Sequence, residues 1–259
     1  MKTMSESETV TGNLKELGLP TMRRTFAAAA VVARANEQTF EQYLLGLSEA
    51  ELSHRRENRI GRLLRASKLP LEKSWSALDT KRLPTKVVHQ AKALLDGGFA
   101  DRRENVLVFG PPGSGKTHLL CAVAQELVRS GRKVLFTTCN LLVQELLLAK
   151  RELKLPKVLK RLGGFPVLMV DDLGYVQQSR EEMEVLFTLL AERYERGSVL
   201  LTSNLAFSGW ESIFKDPMTT AAAIDRLVHH SVIVELNVPS YRAEQAKSRR
   251  ATATPEGTP

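Results

Sequence analysis

Five short apolar runs, separated by longer stretches with helical spacing, organise most of the chain: Val106 to Phe109, Val134 to Thr137, Val167 to Val170, Val199 to Thr202 and Val232 to Leu236. Runs this apolar predict strands buried on both sides, and their alternation with helices predicts an α/β fold, a parallel sheet covered on both faces. Ahead of them the pattern from Asn13 to about Leu69 is helical, through Leu14, Leu17 and Leu19, then Thr25 to Ala35, then Phe40 to Leu71. The expected organisation is a helical region over 1–70, a connector over 71–104, an α/β domain over 105–245 and a disordered tail over 246–259. The connector is rich in Lys, Arg and Pro and holds one helix, Lys86 to Leu95, ended by Gly97-Gly98.

A chain of 259 residues with 43% apolar residues can bury a sizeable core. No apolar run approaches the ~20 residues that span a bilayer, and the polar start lacks the apolar segment of a secretory signal, so a soluble cytoplasmic protein with no membrane partner is expected. Cys121 and Cys139 are too few for a disulfide framework or a Cys-rich zinc site and read as buried thiols.

Charge adds a polyanionic partner. The 37 Lys and Arg exceed the 29 Asp and Glu, giving a net charge of +8, and the excess is clustered. Between Glu51 and Lys68, Arg55, Arg59, Arg62 and Arg65 share one helix side while Leu52, Ile60, Leu63 and Leu64 share the other, with Arg56 falling among the apolar positions. A second cluster, Lys150, Arg151, Lys154, Lys157, Lys160 and Arg161, lies in a helical insertion from Leu141 to Leu162, which Pro156 is expected to break. Both suit contact with a DNA backbone as well as a plain solvated face. No aromatic is interleaved in the insertion, so steep salt dependence and little sequence preference are expected.

The chemistry begins after the first apolar run. Gly110-Pro111-Pro112-Gly113-Ser114-Gly115-Lys116-Thr117 fits G-x-x-x-x-G-K-[ST] between a strand and a helix, the context of a phosphate-binding P-loop. Gly113 and Gly115 let backbone N–H groups converge on phosphate oxygens at the positive end of the helix. Lys116 would reach the β- and γ-phosphates, and Thr117 offers a hard oxygen to Mg²⁺. The third run ends in Asp171-Asp172, a Walker B pair: Asp171 would hold Mg²⁺ through its water shell, and Asp172 would polarise the attacking water. Asn204, just past the fourth strand at the carboxyl edge of the sheet, suits orienting that water. Arg226 suits either a charge donated to a neighbouring subunit's γ-phosphate or an internal ion pair with Asp225 or Glu211. His118 and the adjacent His229-His230 are expected to form no transition-metal site, since neighbouring histidines point apart.

The P-loop, Asp171-Asp172, Leu201-Thr202-Ser203-Asn204-Leu205, Phe207-Ser208-Gly209-Trp210 and Ala223-Ile224-Asp225-Arg226-Leu227-Val228-His229-His230 together resemble the AAA+ ATPases of the initiator and helicase-loader group. The nearest likeness is to IstB-like transposition helpers, with DnaC-like helicase loaders next. It covers Asn13 to Arg242. The resemblance implies an ATPase that uses ATP and Mg²⁺, forms homo-oligomers with ATP at subunit interfaces, binds double-stranded DNA and assists a cognate, IstA-like transposase. It makes Arg226 the arginine finger and Asn204 the sensor-1 residue, and sets Arg242 against a sensing arginine of the family. So little chain follows Leu236 that the family's helical lid is expected to be absent or vestigial. The alternatives are a helicase loader of the DnaC type, which would favour single strands, and a small-molecule P-loop phosphotransferase, for which the chain shows no acceptor site.

Overall fold

The computed structural model describes residues 5–174, 179–210, 217–241 and 244. The chain divides into two compact units, Met1–Arg62 and Leu63–Pro259, a division earlier than the expected boundary at 70. The reason lies in the last turns of one long helix, where Leu63 and Leu64 pack against the core of the second unit.

The first unit is helical: α1 (Glu6–Glu16), α2 (Pro20–Ala35) and most of α3 (Phe40–Ser67). Ser5 and Glu8 close a capping box on α1. Pro20 starts α2 with a preset φ, and the N–H groups of Thr21 and Met22 donate to the buried Glu51 carboxylate at 2.8 and 3.1 Å. Burial pushes the Glu51 carboxyl up, but those N–H groups and the Arg55 guanidinium at 3.0 Å outweigh it and hold it below its ordinary value. Arg55 also donates to the Gly18 carbonyl at 2.6 Å, so one arginine of the expected basic face ties helices together. Arg59, Arg62 and Arg65 are exposed. Leu52 departs from the expectation: it is 66% exposed rather than packed with Ile60 and Leu63.

In the second unit α4 (Thr85–Leu94) and the short α5 (Gly98–Asp101) precede β1 (Asn105–Phe109). Then follow α6 (Lys116–Arg129), β2 (Val134–Thr138), α7 (Cys139–Arg151), α8 (Leu155–Gly163), β3 (Val167–Leu173), α9 (Arg180–Arg193), β4 (Ser198–Ser203), α10 (Pro217–Val228) and β5 (Ser231–Glu235). All five expected strands form, in a parallel sheet ordered β2-β3-β4-β1-β5. The central strands β1, β3 and β4 are buried almost throughout, whereas β2 and β5 at the edges are only partly so. Leu107, Leu168 and Leu201 face a core shared with α7, α9 and α10, while Val106, Val108, Met169 and Leu200 face one shared with α4 and α6. Cys121 and Cys139 are buried, and burial pushes the Cys121 thiol up to about 12, which makes it unreactive.

The insertion breaks at Glu152 to Lys154, earlier than Pro156, which sits in the first turn of α8 where proline is tolerated. Arg193, at the end of α9, is 4% exposed and donates to the carbonyls of Leu162, Phe165, Pro166 and Ser198 at 2.9–3.2 Å. One guanidinium thus joins the end of α8 to the starts of β3 and β4. Burial pushes it down to about 10, which still leaves it charged at neutral pH. Among the described residues no helix is long and apolar enough to cross a membrane. The expected lid, the role of Arg242, the Glu211 partner and the tail fall outside the described residues.

Candidate nucleotide site

The P-loop runs from the end of β1 into α6. Gly113 and Gly115 have φ of 78° and 98°, a region that side chains with a Cβ seldom adopt, and a Cβ on Gly113 would run into Ser240 Oγ. Lys116 is buried, its Nζ donating to the carbonyls of Gly110 and Pro111 at 2.8 and 2.9 Å. Thr117 Oγ1 donates to Asp171 Oδ1 at 2.8 Å, so the two expected metal-binding oxygens meet.

The tandem aspartates depend on a bulge. Val170 pairs with Leu201 and Leu173 with Ser203, so β3 spends one more residue than β4 between these rungs. The extra residue turns Asp172 into the left-handed region, φ 61°, and aims its carboxylate outward while Asp171 stays buried. The fully buried Thr202 hydroxyl holds both: it accepts the Asp172 N–H at 2.8 Å and donates to Asp171 Oδ1 at 2.6 Å. Ser203 Oγ donates to the Leu173 carbonyl at 2.8 Å and fixes the strand beyond the bulge. Trp210, wholly buried, donates from its indole to the Leu205 carbonyl at 3.2 Å and packs beside Phe109 at the foot of the P-loop.

The loop and the tandem aspartates line a cavity of about 720 Å³. Pro112 to Thr117, Asp171, Asp172 and Asn204 form one end of it. Its other walls come from segments that the sequence reading left without a role. The connector contributes Leu78, Asp79, Arg82 and Leu83, and the segment after β5 contributes Val238, Pro239 and Tyr241. The connector is anchored to α6, where His118 Nε2 meets the Ser74 carbonyl at 3.0 Å and Gln125 donates to the carbonyls of Pro70 and Lys73 at 3.1 Å. That after β5 is stitched to the loop by Leu236 N–H to the Phe109 carbonyl at 2.7 Å and Tyr241 N–H to the Gly113 carbonyl at 3.0 Å. Arg82 lies over the Tyr241 ring at 4.8 Å and pairs with Glu244, closing the two walls. Apolar Leu78 and Leu83, outside the helix of the connector, were the available signal.

Arg226 lies elsewhere. Its Nη1 donates to the Ala222 carbonyl at 3.0 Å and its guanidinium sits over the Phe187 ring at 4.7 Å. It borders a shallow depression with Arg103, Asn105 and Tyr194, apart from the cavity that holds Lys116. Among the described residues it makes no ion pair, so of the two alternatives the internal pair with Asp225 does not form. Asn105 clamps the end of α10, donating to the Leu227 carbonyl at 3.0 Å and accepting the Val199 N–H at 2.8 Å.

In the insertion, carboxylates engage much of the basic cluster: Lys150 with Glu184 at 2.9 Å, Arg151 with Glu181 at 3.8 Å, Lys154 with Glu152 at 2.8 Å and Arg161 with Glu145 at 2.5 Å. Lys157 and Lys160 are exposed and, among the described residues, have no such partner.

A five-stranded parallel sheet with a P-loop after β1, paired carboxylates at the end of β3 and a polar strand end between them defines an ATPase of the AAA+ P-loop class. Within that class, the chain belongs to the family of IstB-like ATP binding proteins, whose pattern matches residues 12–250. It is 39% identical over 234 residues to an insertion sequence ATP-binding protein of Sinorhizobium fredii, covering 90% of this chain and 78% of the relative. With the insertion sequence IS21 ATP-binding protein of Pseudomonas aeruginosa it shares 35% identity over 230 residues, 88% of this chain and 85% of the relative. Among solved structures it is similar in fold to DnaI, with a TM-score of 0.56 and 23% identity over 66% of this chain and 95% of that one. The DnaC helicase loader gives a TM-score of 0.52 and 21% identity over 63% and 98%.

Proposed function

We propose that this ATPase assembles on double-stranded DNA with ATP held between subunits, and there assists an insertion-sequence transposase in choosing and joining its target. The observation that carries the reading is the position of Arg226. An arginine that borders a depression away from its own P-loop, on a helix end clamped by Asn105, suits donation to the γ-phosphate of a neighbouring copy. The relatives named as insertion sequence ATP-binding proteins supply the transposition context. Such a role puts the protein in the cytoplasm.

The cavity fits ATP. The loop's N–H groups and Lys116 form an anion cradle, Ser114 Oγ is buried there with no hydrogen-bond partner among the described residues, and the volume suits a nucleotide. The connector and the segment from Val238 to Tyr241 would flank the base. A hydroxyl at Thr117 beside the buried Asp171 carboxylate is a hard-oxygen pair that fits Mg²⁺, which when bound neutralises charge building between the β- and γ-phosphates. Lys116 would leave the Gly110 and Pro111 carbonyls for phosphate oxygens. Asp172, held outward by Thr202, would accept the proton of a water that Asn204 orients.

DNA would meet Arg59, Arg62, Arg65, Lys157 and Lys160 through phosphate contacts, Arg55, Lys150, Arg151, Lys154 and Arg161 being partly committed to the carboxylate or carbonyl contacts above. Fluorescence anisotropy with labelled duplex and single strands of random sequence, with ATP and Mg²⁺ across a salt series, tests the reading. Duplex preferred over single strands, with affinity falling steeply with salt, supports it. Preference for single strands points to a helicase loader, and no binding to either overturns it.

A further inference from the structure

Glu195, His229 and His230 form a cluster that the ATPase reading does not use. The histidines were expected to point apart, but their rings meet edge to face with centroids 4.2 Å apart, and the ligand atoms of all three residues lie within 4.8 Å of one another. They converge because the end of α10 and the end of α9 deliver them from two turns. His229 is held by its N–H to the Asp225 carbonyl at 2.9 Å, and the His230 carbonyl accepts the Asn105 N–H at 2.7 Å. Glu195 stands at φ 56° with its carbonyl accepting Arg103 Nη1 at 2.6 Å. Non-glycine residues in that region persist where the surroundings hold them, and they gather at ligand sites. The three backbones are therefore fixed while the side chains stay exposed.

Tyr194 adds the second observation. Its hydroxyl lies 3.1 Å from His229 Nδ1, and accepting that N–H leaves the ring's lone pair on Nε2. Two imidazoles and one carboxylate, with water as the fourth ligand, are the donors of a transition cation such as Zn²⁺ rather than of Mg²⁺, which takes oxygen. We propose that Glu195, His229 and His230 bind one Zn²⁺-class cation, with His229 ligating through Nε2 and oriented by Tyr194. The cation would fasten the α9–β4 turn to the α10–β5 turn, one helical turn beyond Arg226, and so stiffen the arm on which that arginine is carried.

The test is equilibrium dialysis of the nucleotide-free full chain against ZnCl₂, with the visible spectrum of the Co²⁺ form as a geometric readout. The wild type should take up one equivalent with a tetrahedral Co²⁺ spectrum. The His229→Gln/His230→Gln double variant should lose it, Glu195→Gln should bind at least about ten-fold more weakly, and Tyr194→Phe should weaken binding about ten-fold at unchanged stoichiometry. Far-UV circular dichroism checks folding, and if the double variant does not fold the exposed Glu195→Gln decides. A wild type that takes up no Zn²⁺, or variants that bind as the wild type does, overturn the proposal.

Discussion

Replacing Thr202 by valine keeps the shape of the side chain and removes the hydroxyl that joins the tandem aspartates. Two contacts vanish, the 2.8 Å bond from the Asp172 N–H and the 2.6 Å bond to Asp171 Oδ1, at a position with no exposure. The first takes this acceptor from a part-buried donor, at about 1–3 kcal/mol, and the second removes a charge-assisted bond of about 1.5–3 kcal/mol, softened because Thr117 still serves Asp171. A net loss of about 3 kcal/mol lowers the Tm of a domain of this size by about 6–12 °C. It also frees the bulge, and a misplacement of the Asp172 carboxylate by ~1 Å is enough to lower kcat by up to about 100-fold. The phosphate cradle belongs to β1 and α6, so KM for ATP should hardly move. Calorimetry with steady-state ATPase assays at saturating Mg²⁺ reads both effects, and Thr202→Ser, which retains the hydroxyl, should recover most of each. A Thr202→Val protein with wild-type Tm and kcat refutes the role given to this hydroxyl.

Arg193→Met strips four carbonyls of their donor and should cost about 3–5 kcal/mol, read as a lower urea midpoint; an unchanged midpoint means the buried guanidinium is dispensable. Glu51 has a folded-state pKa below its unfolded one, so its stabilisation is complete above the ordinary value of 4.5 and is lost as pH falls through the folded value. Glu51→Gln should flatten that acid limb in hydrogen-exchange protection of α2, and an identical limb in both proteins counts against the cap. Mixing Lys116→Ala with Arg226→Ala pairs an intact P-loop with an intact arginine from another subunit. The mixture should hydrolyse ATP although each variant alone does so at least about 100-fold more slowly than the parent, and a mixture no better than its parts counts against an arginine acting between subunits.

The nucleotide site was legible where its chemistry lies in consecutive residues. Gly110 to Thr117 and Asp171-Asp172 follow apolar runs, and a run of that kind settles both the strand and the edge on which its last residues emerge. The bulge that separates the duties of Asp171 and Asp172 was not legible, because it arises from a register slip against β4. Nor were the walls, since Leu78 and Tyr241 come from segments with no periodic pattern and meet only after the sheet has closed. Helical spacing placed Lys150 and Arg151 on one insertion but is blind to Glu184 and Glu181, which α9 brings from another part of the chain. The histidine pair shows a related limit. Alternation holds within a regular strand, whereas His229 and His230 form a turn whose geometry is set by Asp225 and Asn105.

Light scattering of the purified protein with Mg²⁺, with and without ATP and a random-sequence duplex, repeated with Asp172→Ala, tests the central claim most directly. The account predicts growth into a large complex only when ATP and duplex are both present, persisting in the Asp172→Ala protein because ATP is bound but not turned over. A particle that stays monomeric under every condition, or that assembles equally well without nucleotide, contradicts it.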